Sequence, residues 1–211
     1  MRYGTLTLYV GPMFAGKSSR LLLDYKASSD VEPFHKLLVK PEIDTRYADD
    51  KVVTHDAVSE PCFTIKTLNE LPLKGYFRKL YKAFEVYKER DSDSYFKLFI
   101  DECHFFEDLV PSLRHFMSLG IDVICAGLDV TSTGDVFQNM EGAFGLADKI
   151  VKLKGRCQFC MGKSKYTLRR FSDDREVLVG GEESYVPVCG SCYDAIKSGR
   201  VSLADKIKHS Y

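Results

Sequence analysis

Residues 5–20, TLTLYVGPMFAGKSSR, decide the fold. Leu6 to Val10 is a short apolar run that reads as a buried strand, and it breaks at Gly11. From Gly11 to Ser18 the chain spells GPMFAGKS, which fits G-x-x-x-x-G-K-[ST] with no mismatch. In such a loop successive backbone N–H groups turn inward, so Gly11 to Gly16 (Gly11, Pro12, Met13, Phe14, Ala15, Gly16) form a concave anion site, with Pro12 shaping the turn and donating no N–H. Gly11 and Gly16 allow backbone angles and close approaches that a side chain would block. Lys17 can reach the β- and γ-phosphates, the Ser18 hydroxyl can ligate Mg²⁺, and Ser19 follows in the same turn. The helix that starts here adds its positive N-terminal dipole. Strand, loop and helix stand in the required order, so the stretch predicts a site for a nucleoside triphosphate.

With 211 residues the chain has room for one large domain, or one domain and a small appendage. Lys plus Arg and Asp plus Glu both number 30, so bulk positive charge offers no grip on nucleic acid. No apolar run approaches the roughly 20 residues that cross a bilayer, so no membrane partner is expected. The start, MRYGTLTLYV, reads as a first core strand and not as a signal peptide. Four of the seven cysteines form two C-x-x-C pairs, and Cys62, Cys103 and Cys125 stand singly. That odd count without a secretion signal argues against a disulfide framework and for a reduced, cytoplasmic protein with one metal site.

Outward from the loop, helix signals run through SSRLLLDYKAS to about Ser28–Asp30, and HKLLVK (35–40) reads as a second strand. PEIDTRYADD is a loop, VVTHD and CFTIK read as short strands, and Thr67 is placed to cap a turn beginning LNEL. Residues 75–90 repeat Phe77, Leu80, Tyr81, Phe84 and Tyr87 at helical spacing, a packing face. DSDS (91–94) is a linker, and YFKLFIDE is a strand ending in two carboxylates. EDLVPSLRHFMSLG is a helix stopped by Gly120, with Pro111 tolerated in its first turn. IDVICAGL is a further buried strand, and DVTSTGDVFQNMEG reads as a loop. Alternating strands and helices with nearly continuous apolar strands predict an α/β fold, a parallel sheet covered on both faces. The texture changes near Gly155: YTLRR and EVLVG read as paired strands, and VPVCGSCYDAI closes with a turn and short helix. The expected organisation is a P-loop domain over 1–154 and a small cysteine-bearing domain over 155–211.

Three constellations carry chemistry. Asp101 and Glu102 end a central strand, where a P-loop enzyme needs a carboxylate near Mg²⁺ and a base for an acceptor hydroxyl. Asp101 is the metal-side candidate and Glu102 the base, although a solvated strand end is the plain alternative. Cys157, Cys160, Cys189 and Cys192 offer four thiolates for a closed, structural Zn²⁺ site. The 28 residues between the pairs exceed the usual spacing of roughly 15–20, so a hairpin must bring them together. Asp44 and Arg46 follow the second strand, where arginine can steady a transferring phosphate or join a surface ion pair. Phe105 and Phe106 read as core with one free to line a pocket, and His104 reads as a buried polar residue.

Together, GPMFAGKSS, KPEIDTRY, THD, IDECHFF, GLDVT, KLKGRCQFC, YTLRR, VGGEESY and VCGSCY resemble the small, zinc-containing (type II) thymidine kinase family. The resemblance runs from Gly4 to about Tyr193. It implies a RecA-like P-loop sheet with a zinc-rooted lasso, and transfer of the ATP γ-phosphate to the 5′-hydroxyl of thymidine or deoxyuridine. By the same resemblance Glu102 is the general base, Asp101 serves the metal region, Arg46 matches an arginine near the transferring phosphate, and Asp44 a carboxylate of the same loop. Met13, Phe105, Leu128, Phe137 and Tyr185 would surround the nucleoside, main-chain groups near Leu178 and Gly180 would hold the base, and Thr167 would face the thymine methyl. A cytoplasmic homotetramer under feedback inhibition is also implied. The sequence departs from the family in three places. His104 stands where the family usually has Gln, Ser132 replaces the first aromatic of the loop after Leu128-Asp129, and the 57–95 segment is longer. Losing one aromatic wall removes about 1 kcal/mol of stacking and opens space beside the base. Two alternatives remain open from sequence: a deoxynucleoside kinase of altered base choice, and a zinc-ribbon ATPase driven by nucleic acid.

Overall fold

A computed structural model describes residues 2–28, 36–46, 50–54, 58–88, 96–171 and 179–208. Its centre is β1 (Leu6–Val10), which turns Leu6, Leu8 and Val10 to one face and Tyr9 to the other. Successive strand residues point to opposite faces, so an unbroken apolar run means both faces are covered. The same holds for β2 (Lys36–Pro41), β6 (Lys97–Ile100) and β7 (Asp122–Gly127). With β5 (Phe63–Ile65) and β8 (Lys149–Lys152) they make a six-stranded sheet in the order β5-β2-β6-β7-β1-β8. Every pairing in it is parallel. The phosphate-loop strand and the strand bearing Asp101 are therefore separated by β7, and their carboxyl ends open on the same edge.

On one face α1 (Lys17–Ala27) buries Leu21 and Leu22 against Tyr9, Leu38, Phe99 and Ala126. On the other, α2 (Gly75–Lys88), α3 (Leu109–Ser118) and α4 (Gln138–Leu146) pack on the larger core. Helix α3 buries Leu109, Leu113, Phe116 and Met117 at the i, i+4, i+7 and i+8 spacing of a single face, each worth about 1.5–3 kcal/mol. In α2, Phe77 is buried and Leu80 and Tyr81 pack beside it, while the side chains of Phe84 and Tyr87 lie outside the described residues. The linker at 91–94 also lies outside them.

Several expectations need correction. The run read as a loop at 129–142 ends in α4, whose Gly142 sits so close to α3 that a Cβ would meet Val110 Cγ2 at 2.7 Å. A glycine placed for that contact hid the helix. Strand β8 was not anticipated because KIVK is short, edge-lying and half exposed. A hairpin of β3 (Lys51–Val53) and β4 (Ser59–Pro61) stands where only the first strand was read. Thr67 precedes a 3₁₀ turn over Leu68–Leu73, but the orphan N–H groups of Leu68 and Asn69 donate to the Asp108 carboxylate. Finally, β9 (Tyr166–Arg169) pairs antiparallel with β10 (Tyr185–Val188). The strand read at EVLVG lies largely outside the described residues, which hold only its Val179 and Gly180, outside any strand. Helix α5 (Gly190–Lys197) follows β10, and α6 (Leu203–Lys208) ends the described chain.

Candidate active site

The loop between β1 and α1 takes the backbone angles its glycines allow, but the Met13 N–H, expected to turn inward, donates instead to Thr167 Oγ1 at 2.9 Å. Gly11 (φ 144°) lies where a Cβ would strike the Leu153 carbonyl at 2.3 Å, and Gly16 (φ 79°) adopts the left-handed backbone that starts the helix. Phe14 (φ 61°) takes the same left-handed conformation without that freedom. Lys17 is buried and its Nζ donates to the Pro12 carbonyl at 2.8 Å. Burial lowers its pKa, opposed by the charges of Glu102, Asp101 and Asp129.

Two strand ends complete the electrostatics. The Ser18 hydroxyl donates to Asp101 Oδ1 at 2.9 Å, so the side chains predicted to flank a metal ion already touch. Burial, followed by the neighbouring Glu102 charge, pushes Asp101 up to about 7. Glu102 heads a 3₁₀ turn (Cys103–Phe105) with φ 47°, a strained position for a residue with a Cβ. Burial alone would raise its pKa, but the Arg46 guanidinium and Lys17 hold the carboxyl down at about 2. Arg46 donates to Glu102 Oε1 and, at 2.6 Å, to Asp44 Oδ1. Asp44 and Arg46 thus form an ion pair, but a buried one inside the cavity. Adjacent carboxylates shifted in opposite directions, Asp101 up and Glu102 down, with Arg46 on Glu102, are the mark of a functional site.

Two cavities meet there. The first, about 260 Å³, is lined by Met13, Phe14, Gly16, Lys17, Ser18 and Ser19 of the loop, with Asp44, Arg46, Asp101 and Glu102 opposite. Gly11, Pro12 and Ala15 belong to the loop but not to the lining of this cavity. Lys51 to Thr54 and Glu182 also line it; Thr54 and Glu182 fall within the family segments THD and VGGEESY but were given no role there, and Lys51 to Val53 carry no motif. The second cavity is lined by Phe105, Leu128, Phe137, Thr167, Gly180 and Tyr185, all predicted, together with Met13. Val130, Thr131 and Val179 line it unannounced, and Ser132 and His104 do so as the departures placed them. Leu178 lies outside the described residues. Phe106 is core, so of the two phenylalanines only Phe105 faces a pocket.

His104 is buried between Phe105 and Phe137, with ring centroids 4.1 and 4.8 Å away. Its Nδ1 accepts from the Leu128 N–H at 3.2 Å, which assigns the proton of a neutral ring to Nε2. Burial brings its pKa down to about 4. Asp129, next to Leu128, is also buried and pairs with Lys152 at 2.7 Å, a charged contact that the sequence reading did not single out.

The thiol cluster lies beyond β8. The ligand atoms of Cys157, Cys160, Cys189 and Cys192 all fall within 4.8 Å of one another, with Cys160 and Cys189 Sγ 3.5 Å apart. Tetrahedral thiolates about 2.3 Å from Zn²⁺ require separations of this order, so the donor set and its spacing fit a structural zinc ion. Cys189 caps α5 and accepts from the Cys192 N–H, which directs the helix N-terminus at the thiolates. Burial raises the Cys157 thiol, but the backbone N–H groups of Cys189, Phe159 and Cys160 bring it down to about 7.

Met13, Arg46 and Glu102 line both cavities. A seam of that kind, at the carboxyl ends of parallel strands beside a phosphate loop, defines a P-loop nucleotide-binding protein that takes a second small ligand. Comparison with known proteins narrows the class: residues 4–193 match the family profile described as Thymidine kinase. A protein of Pseudothermotoga lettingae named Thymidine kinase is 34% identical over 203 residues, covering 92% of this chain and 97% of its own. Thymidine kinase a of Arabidopsis thaliana is 35% identical over 215 residues, covering 97% of this chain and 83% of its own. A Mesomycoplasma hyopneumoniae relative, also named Thymidine kinase, is 27% identical over 191 residues (90% and 95%). The chain belongs to the thymidine kinase family.

Proposed function

We propose that this protein transfers the γ-phosphate of ATP to the 5′-hydroxyl of thymidine or deoxyuridine, giving the 5′-monophosphate. The observation that carries the reading is the seam: Glu102 and Arg46 belong to both cavities, so donor and acceptor can meet at one carboxylate. The loop from Gly11 to Ser19 would hold the triphosphate, and Ser18 and Asp101 would hold Mg²⁺, which offsets charge on the transferring phosphoryl group. Glu102 would accept the hydroxyl proton. While Arg46 clamps it, Glu102 is too acidic to be an efficient base. A phosphate oxygen that draws the guanidinium away raises the Glu102 pKa, so arrival of the donor would switch on the base.

The second cavity is the natural nucleoside site: Phe105, Phe137 and Tyr185 give aromatic walls and Gly180 lies at its rim. At about 40 Å³ it is well below the roughly 300 Å³ of small-molecule sites, so the loops around it would shift outward to admit a nucleoside. Zinc at the four thiolates would fix the root of the loop between β9 and β10. Residues 1–154 would act as the donor domain and 155–211 as the lasso domain, in a cytoplasmic homotetramer; light scattering tests the assembly. Incubation with ATP, Mg²⁺ and an equimolar panel of deoxynucleosides, with chromatographic detection of products, tests the activity. Thymidine monophosphate should dominate. A main product from a deoxynucleoside other than thymidine or deoxyuridine, or ADP without a nucleotide product, would overturn the reading.

A further inference from the structure

The backbone of a phosphate loop must hold its N–H groups toward the anion, yet the N–H of Met13 points elsewhere. It donates to Thr167 Oγ1 at 2.9 Å, and both residues are buried. Thr167 is 154 positions away, on β9, in the segment that carries the cysteines. Two further contacts come from the same stretch. The Leu153 carbonyl fills the space beside Gly11, and Gly155 lies so close to Phe14 that a Cβ there would meet its carbonyl oxygen at 2.7 Å. Gly155 is itself fixed to fully buried Ser164, whose hydroxyl accepts from the Gly155 N–H at 3.0 Å and whose N–H donates to the Gly155 carbonyl at 2.9 Å. Residues 153–167 thus form the outer wall of the loop at Gly11, Met13 and Phe14. The left-handed Phe14 is the kind of conformation that persists only when its surroundings impose it.

We propose that Thr167 is a positioning residue of the phosphate-donor site, its hydroxyl fastening the cysteine-bearing segment to the phosphate loop at Met13. The proposal rests on reading that loop as the ATP site. It adds to Thr167 a role separate from any contact with a base: β9 sets the loop conformation that ATP meets. Replacing the hydroxyl by a methyl leaves the Met13 N–H buried without a partner, and the loop can recover one only by turning that peptide and moving Phe14.

The test is isothermal titration of the full-length, zinc-loaded protein with a non-hydrolysable ATP analogue and Mg²⁺, without nucleoside. Thr167→Val, which keeps the shape and removes the acceptor, should bind about tenfold more weakly than wild type. Thr167→Ser, which keeps the acceptor, should recover most of that loss. Gly155→Ala, which pushes on Phe14 from outside β9, should also weaken binding. Zinc content and melting temperature control for folding; if Thr167→Val does not fold, the serine and Gly155→Ala variants carry the test. Wild-type affinity in Thr167→Val, or equal losses in the valine and serine variants, would overturn the proposal. If only nucleoside affinity changes, Thr167 is a base contact alone. A wild-type protein that fails to bind the analogue would instead remove the ATP-site reading beneath it.

Discussion

The two cavities that meet at Glu102 are built in opposite ways. The donor side is made of charge held in place by regular structure. Lys17 and Ser18 begin α1, Asp101 and Glu102 follow directly on β6, and Arg46, in the loop after β2, is clamped between two carboxylates. The acceptor side is made of apolar and aromatic surface contributed by loops and the small β9–β10 hairpin, with few charges. The contrast follows from the tasks. Phosphoryl transfer requires preorganised charge, which only a rigid scaffold keeps from relaxing. A neutral nucleoside needs shape and stacking, and must enter and leave.

Removing charge from the donor side should therefore cost catalysis, and altering the acceptor side should change selection. Glu102→Gln keeps the shape and abolishes the base, so turnover should fall roughly 10²-fold or more while titrated ATP-analogue affinity stays near wild type. Near-normal turnover in a single-turnover assay would take the base role from Glu102. Loosening the acceptor side at its root is next. Cys189→Ser removes one of four thiolates, and metal analysis should show zinc lost, with nucleoside KM raised by roughly tenfold or more. Full zinc content would refute the four-thiolate site. A smaller change is expected from Ser132→Phe, which restores a wall to the nucleoside cavity. Stacking of about 1 kcal/mol should favour thymidine about fivefold in kcat/KM, measured against deoxycytidine. No change would place Ser132 off the base.

The smallest effect lies at the boundary between the two sides. His104 has a folded pKa of about 4, below its ordinary 6.5, because burial disfavours the cation. Between those values the unfolded chain binds more protons than the folded one, so stability rises with pH and this contribution is lost on acidification from 6.5 towards 4. Melting curves of His104→Gln should fall less steeply than wild type across that window. Parallel curves would assign the acid limb to other groups.

The same contrast explains what could be read in the sequence. The donor side was legible because its chemistry needs fixed residue types at fixed spacing: GPMFAGKS on a strand–loop–helix and Asp101-Glu102 at a strand end, both found where expected. The cysteine cluster was legible for the same reason. The surrounding architecture was not. Tyr185–Val188 holds a proline and no polar–apolar alternation, so its pairing with Tyr166–Arg169 is set by tertiary packing and leaves no local pattern. Helix α4 was masked by Gly142, which serves a close approach to Val110 that no local pattern records. Glu182 and the Lys51–Thr54 stretch reach the donor cavity from distant chain positions, and the family segments THD and VGGEESY that hold Thr54 and Glu182 do not by themselves place them there. Phe105, Leu128, Phe137 and Tyr185, which line the second cavity, were named through family resemblance alone, since aromatic and aliphatic side chains do not distinguish a pocket from a core.

The central claim is that donor and acceptor meet at Glu102 across the seam between the cavities. The most direct measurement follows thymidine and ATP in one reaction with Mg²⁺, quantifying ADP and thymidine 5′-monophosphate together. The account predicts the two products in equal amounts, dependent on thymidine, and both suppressed in Glu102→Gln. ADP formed without thymidine monophosphate, or at a rate indifferent to thymidine, would contradict it.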